Sequence, residues 1–216
     1  MNRKTLFIGS AVLLLAAFVI GAIYYQGQLS KQAEELAARN QTRLVRLYSP
    51  TFGNPQAKVH IVEFLDPACG TCAQFYPEVK RIMAENPDRI RLTIRHVPFH
   101  NGSEPVVRVL EASRLQDKYL ETLRALLGSQ STWVVNHVAQ FDRIWGPLQG
   151  LGLDLDKLRI DMNAPEIAQH IEQDLADASA LAVTATPEFF VNGRPMPSFG
   201  LRQLEGLVKD ALEASY

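Results

Sequence analysis

Hydrophobic and polar positions divide the chain into three stretches before any motif is considered. Thr5–Tyr25 carries no charged side chain over 21 residues, enough to cross a hydrocarbon layer at about 1.5 Å per residue. Arg3 and Lys4 precede it, and Tyr24 and Tyr25 close it with the aromatic residues that suit a membrane interface. The run ends without a small-x-small exit site. Residues 1–25 are therefore expected to be a signal anchor, a single transmembrane helix with its positive flank in the cytoplasm and the rest of the chain outside. A long, cleaved signal peptide is the alternative. Residues 26–48 turn polar, Ala-rich and helix-prone, with Leu29, Ala33, Leu36, Ala37, Leu44 and Leu47 spaced along them. They are expected to form a helical stalk that holds the following domain off the membrane. The three or four clean heptads of a coiled coil are missing, so a monomer is expected.

From residue 49 the pattern becomes that of an α/β domain. Ser49–Pro55 is rich in breakers and is expected to be an entry loop. Val59-His60-Ile61-Val62-Glu63-Phe64-Leu65 is a short, nearly continuous apolar run and predicts a buried strand. Asp66-Pro67-Ala68 is a turn, and Cys69–Glu85 shows helical spacing, with Pro77 expected to kink it. Ile90–Val97 alternates and predicts a second strand, completing a βαβ unit. Five helices are expected next, over Glu104–Leu115, Asp117–Leu127, Val134–Trp145, Asp154–Met162 and Pro165–Leu181. Strand character returns at Glu188–Val191, Asn192-Gly193 signals a hairpin, and Leu201–Leu212 forms an amphipathic helix. The α/β unit thus divides into a first part, 49–102, an all-helical insertion, 103–182, and a second part, 183–216.

Composition narrows the class. Hydrophobic residues make up 47% of the chain and charged residues 21%, which excludes a disordered protein. Without Arg3 and Lys4, 20 basic residues face 23 acidic ones, so the part beyond residue 25 carries a charge of −3. That excludes nucleic-acid binding by bulk charge. Two cysteines exclude both a multi-bridge disulfide scaffold and a four-cysteine zinc site.

Those two cysteines form Cys69-Gly70-Thr71-Cys72, where a strand becomes a helix. Backbone N–H groups at a helix start favour an anion, so Cys69 is expected to have a lowered pKa and a populated thiolate, the attacking species in disulfide exchange. Cys72, one turn further in, is expected to be buried and to resolve a mixed disulfide or close a ring with Cys69. A plain structural disulfide is one alternative, although so small a loop contributes little stability. A copper or zinc site is another, with His96, His100 or Met196 approaching in space. Glu63 is a carboxylate within an apolar strand six positions before Cys69. Burial is expected to raise its pKa and to let it exchange a proton with Cys72. A Glu at a strand edge, facing water or Lys58, is the alternative. Thr186-Pro187 heads the later strand, and its spacing alone leaves cis and trans open.

Val-Glu-Phe-x-Asp-x-x-Cys-x-x-Cys, then Pro77 in the helix, then Thr-Pro-x-Phe-Phe-Val-Asn-Gly, together resemble the thioredoxin superfamily. Cys72 and Pro187 are 115 positions apart, too far for a bare thioredoxin, and the helices between them make residues 50–214 similar to DsbA-like thiol:disulfide interchange proteins. The resemblance implies a thioredoxin fold interrupted by helices and a cis Pro187 facing Cys69 and Cys72. It also implies a Thr186 backbone that pairs with substrate, and Glu63 as the buried acid behind the site. Gly70 and Thr71, the dipeptide between the cysteines, would contact substrate and lack the His and Pro of the best-known oxidases. The activity implied is thiol:disulfide exchange with protein substrates in the periplasm. It needs no cofactor and no metal, and a membrane redox partner would recharge the pair. Oxidase and dedicated reductase both remain open, and a tethered metallochaperone or binding module is the competing class. His60, His137 and His170 are expected to be structural or surface residues, as are His96 and His100. Trp133 and Trp145 are expected in the core or lining a groove.

Overall fold

The computed structural model describes residues 3–216, with side chains from residue 12 onward. The side chains of the Arg3–Lys4 flank lie outside the described residues. The first element, α1, is one helix over Arg3–Leu44. Its part from Val12 on is long and apolar enough to cross a membrane. The apolar stretch and the polar stretch after it are therefore one uninterrupted helix with no joint at residue 25. The stalk is also not a free spacer: Ala33, Ala37, Asn40 and Leu44 turn one face onto the domain, and Leu44 is fully buried.

The domain is built on a mixed sheet. Its strands are β1 (Thr51–Gly53), β2 (Val59–Leu65), β3 (Ile90–His96), β6 (Glu188–Val191) and β7 (Arg194–Pro195), in the spatial order β1-β3-β2-β6-β7. β2 and β3 are parallel and joined by α2 (Gly70–Glu85); β6 returns antiparallel against β2, pairing Ile61 with Val191 and Phe64 with Glu188. β1 corrects the expected entry loop. Its three residues pair antiparallel with β3, and Thr51 Oγ1 lies 2.7 Å from Thr93 Oγ1. A three-residue edge strand framed by Pro50 and a left-handed Gly53 leaves no hydrophobic alternation to read.

Between β3 and β6 lie α3 (Ser103–Ser113), α4 (Tyr119–Gly128), the one-turn α5 (Gln130–Trp133), a hairpin of β4 (Val134–Val135) and β5 (Val138–Ala139), the one-turn α6 (Trp145–Leu148), α7 (Leu155–Asp161) and α8 (Pro165–Ala180). The helix expected over Val134–Trp145 is thus replaced by a hairpin and turns. Asn136 and His137 both adopt positive φ, a two-residue turn that joins strands and ends any helix. Helical spacing of apolar residues there reflects burial of Ala139 and Ile144 from an irregular backbone. The other expected helices stand within a few residues of their predicted limits, and α9 (Leu201–Ser215) closes the chain.

β2 is buried along its whole length, and its two faces serve two cores. Val59, Ile61 and Leu65 join α2, α9 and most of the inserted helices in the main core, which also holds Cys69, Cys72 and the fully buried Trp133. Val62 and Phe64 point the other way, onto Phe190, Val97, Ala178 of α8 and Leu44 of α1. The insertion therefore shares its core with the sheet. Period-2 alternation places Glu63 on the main-core face with Ile61 and Leu65, behind the start of α2.

Candidate active site

The loop after β2 delivers the cysteines. Asp66 makes this turn rigid: Oδ1 accepts a hydrogen bond from Ala68 N (2.9 Å), and Oδ2 accepts from His100 N (2.7 Å) and Ser103 Oγ (3.1 Å). His100 Nδ1 lies 2.8 Å from the same oxygen. From the insertion, Gln130 Nε2 donates to Pro67 O (2.7 Å) and Cys69 O (2.9 Å). Sequence reasoning missed Gln130, Ser103 and the role of Asp66. The one signal available was that an Asp in a turn bonds the backbone two residues on.

Cys69 is the N-cap of α2, with extended backbone, and its Sγ accepts from Cys72 N at 3.4 Å. As a thiol it donates to Thr186 O at 3.1 Å, and the Thr186–Pro187 bond is cis. Both cysteines are free, so this is the dithiol state. Cys69 is pulled down to about 5, chiefly by a hydrogen bond from the Cys72 thiol. Burial opposes that pull, while the Thr186 side chain and the backbone N–H groups of Cys72 and Thr71 add to it. Cys72 has no exposed surface, and burial pushes its thiol well up, followed by its hydrogen bond to Cys69 and the charge of Glu63. One sulfur is therefore an anion at neutral pH and its neighbour holds a proton. Gly70 is exposed and Thr71 half-buried at the rim.

Glu63 is 1% exposed, and neither carboxylate oxygen has a hydrogen-bond partner. Burial, and then the negative charge of Cys69, raise it to about 8. The strand-edge alternative is excluded, because β2 is central and Glu63 sits beside Phe189 of β6 and Ile94 of β3.

A groove of about 890 Å³ opens in front of Cys69, bounded by Phe99, His100, Gln130, His137 and Thr184–Thr186. His137, expected as a bland residue, thus faces the site. His96 does not: Nδ1 pairs with Glu111 Oε1 (2.8 Å) and Nε2 lies 2.9 Å from Tyr119 OH, all in the core. Among the described residues, no group of three or more His, Cys, Asp or Glu could hold a metal. The two imidazoles considered as metal ligands are engaged, His96 by Glu111 and His100 by Asp66.

Comparison with known proteins places this geometry. The thioredoxin family model matches residues 46–210. A thioredoxin-like oxidoreductase from Silicibacter pomeroyi DSS-3 superimposes with a TM-score of 0.68 at 32% identity, over 79% of this chain and 95% of that one. The catalytic domain of Proteus mirabilis ScsC gives 0.68 at 21% identity, over 83% and 98% of the two chains, and supports the fold. Among curated proteins, the Na(+)/H(+) antiporter NhaA of Herminiimonas arsenicoxydans is 30% identical over 142 residues, 66% of this chain and 22% of that protein. NhaA 1 of Salinispora arenicola is 31% identical over 145 residues, 21% of its length. The chain spans about a fifth of the length of these curated relatives. It belongs to the thioredoxin family, with helices inserted between its CxxC and its cis proline.

Proposed function

We propose that the protein is anchored by α1 in the inner membrane, with its catalytic domain in the periplasm, and that it donates disulfides to protein thiols there. One observation carries the direction: the Cys69 thiol is held near 5, so its reduced form is stabilised and its disulfide is correspondingly oxidising. No His between the cysteines is needed for this, because Cys72 and the Thr186 side chain supply the pull.

The steps balance as follows. A substrate thiolate attacks Cys69 Sγ of the oxidised pair, forming a mixed disulfide while the Cys69–Cys72 bond breaks. Cys72 leaves with the electron pair and takes the proton that Glu63 holds at neutral pH. A second substrate thiolate then attacks the substrate sulfur of the mixed disulfide. Substrate departs oxidised by two electrons, and Cys69 departs as thiolate. The Thr186 backbone and the Gly70–Thr71 rim hold the substrate chain. A second redox protein at the membrane removes the two electrons and completes the cycle.

Equilibration with glutathione tests the direction. A potential less negative than about −270 mV, the thioredoxin value, is expected; a more negative one would make the protein a reductase. Cys69→Ser should abolish exchange, and Cys72→Ser should trap mixed disulfides with substrates.

A further inference from the structure

α1 does more than tether the domain. Its face Ala33, Ala37, Asn40 and Leu44, spaced at helical intervals, lies on the domain. Asn40 Nδ2 donates to Gly193 O at 3.1 Å, at the tip of the β6–β7 hairpin. Gly193, at φ +84°, lies so close beneath α1 that a Cβ there would stand 2.6 Å from Ala37 O. Glu34 and Ala37 also line a crevice with Asp210 and Ala214 at the end of α9. Further along, Arg43 O accepts from Arg95 Nη1, and Leu44 is buried under Phe64 and Val97. The helix is therefore held at two levels.

Strand register gives those levels a direction. His60 N donates to Asn192 Oδ1, so the hairpin tip sits at the start of β2, where Lys58 also meets Tyr216. Thr186 and Cys69 sit beyond the other end of β2, after Leu65. Going from Leu44 back to Ala37, α1 runs from the level of Phe64 down to the hairpin, away from the cysteines, and continues in that direction toward Tyr25.

We infer that the docked end of α1 fixes the catalytic domain with Cys69 facing away from the bilayer, so that its partners are soluble protein thiols and a recharging protein long enough to reach it. The inference rests on the anchor proposed above. From Tyr25 to Ala37 the helix rises about 18 Å, and β2 adds about 17 Å from His60 to Leu65. With α1 upright, Cys69 stands about 35 Å from the lipid surface. A redox partner whose reacting sulfur lies at that surface cannot serve it.

Full-length Cys72→Ser, in which Cys69 is the one thiol, tests this without requiring turnover. In proteoliposomes, a maleimide joined to lipid headgroups by a short linker should label Cys69 at least about tenfold more slowly than one on a Gly/Ser linker of about 40 residues, whose mean span is about 35 Å. A flexible segment inserted after Gln28 frees the domain and should erase the difference. Equal labelling through both linkers with α1 intact would overturn the orientation while leaving the anchor standing. Release of the full chain by alkaline carbonate would overturn the anchor and the orientation together.

Discussion

Glu63 and Arg95 are buried ionisable groups on neighbouring strands, one register step apart, and they are treated in opposite ways. Arg95 faces α8, and each nitrogen of its guanidinium has a partner. Its Nε donates to Asp174 Oδ1 (2.9 Å) and its Nη2 to Asp177 Oδ2 (2.6 Å). Arg46 and Tyr48, just after α1, close the network onto Asp177 and Asp174, and His96 N donates to Asp174 Oδ2. Glu63 faces the other core and has no partner at all. A complete network fixes the placement of α1, β3 and α8 at little net cost. An unpartnered carboxyl does nothing for stability, and its raised pKa beside the cysteines fits the proton-transfer role proposed for it.

The two regions also respond to pH with opposite signs. Despite the burial that would raise it, Asp177 is held below the usual carboxylate range by hydrogen bonds from Arg46 and Arg95. Its contribution is present at neutral pH and fades only as pH falls below that range. Glu63 is raised to about 8, so the folded state favours its protonated form. Stability is whole in acid and declines as pH rises from the ordinary carboxylate range through about 8.

The largest effect is expected where the network is broken. Arg95→Met leaves Asp174 and Asp177 short of their central cation in a dry site and should cost about 3–5 kcal/mol in denaturant unfolding. Cys69 should still label with its original pH profile, because Arg95 lies on the opposite face of the sheet. A moved profile would show that the two faces are coupled.

Glu63→Gln keeps the shape and removes the proton. Exchange should slow by about a hundredfold near neutral pH. The same variant should resist denaturant better than the parent above pH 8, where the parent carries a buried, unpartnered charge. An unchanged rate between pH 6 and 8 would end the proton-transfer role, whatever the stability did.

The pair itself is probed by alkylation. Labelling of Cys69 should rise with an inflection near pH 5. In Cys72→Ala, which loses the leading hydrogen bond to the thiolate, that inflection should move up by about one unit or more. An inflection that stayed in place would assign the low value to the backbone N–H groups and Thr186 instead.

Much of the site was legible because its signals are local. The CxxC at a strand–helix junction specified the N-cap, and the apolar flanks of Glu63 specified its burial. The Thr-Pro before Glu188–Val191 matched a motif carried whole by the family. What escaped were contacts between distant segments of polar residues. Arg95 alternates normally within β3, and nothing in its neighbourhood points to Asp174 and Asp177, about 80 positions away. Gln130 lies in a one-turn helix whose length is too short for periodicity to register. The stalk misled for a related reason: a small residue at Ala37 looks like helix propensity alone, whereas its backbone lies in close approach to Gly193.

The smallest expected effect sharpens the comparison most finely. Tyr48 OH donates to Asp174 Oδ1 at 2.6 Å, and its ring stacks on His170 with centroids 3.9 Å apart. Tyr48→Phe deletes the hydroxyl and keeps the stack. Asp174 retains Arg95 and the backbone N–H of His96, so its charge stays compensated. Loss of one charge-assisted hydrogen bond of several should cost about 1.5 kcal/mol. A loss as large as that of Arg95→Met would mean that the network stands or falls as a unit. A loss near zero would mean that Arg95 alone holds Asp174 and that Tyr48 is a rim residue. Combining Tyr48→Phe with Glu63→Gln should give additive stability changes, since the two side chains share no partner and lie on opposite sides of the sheet.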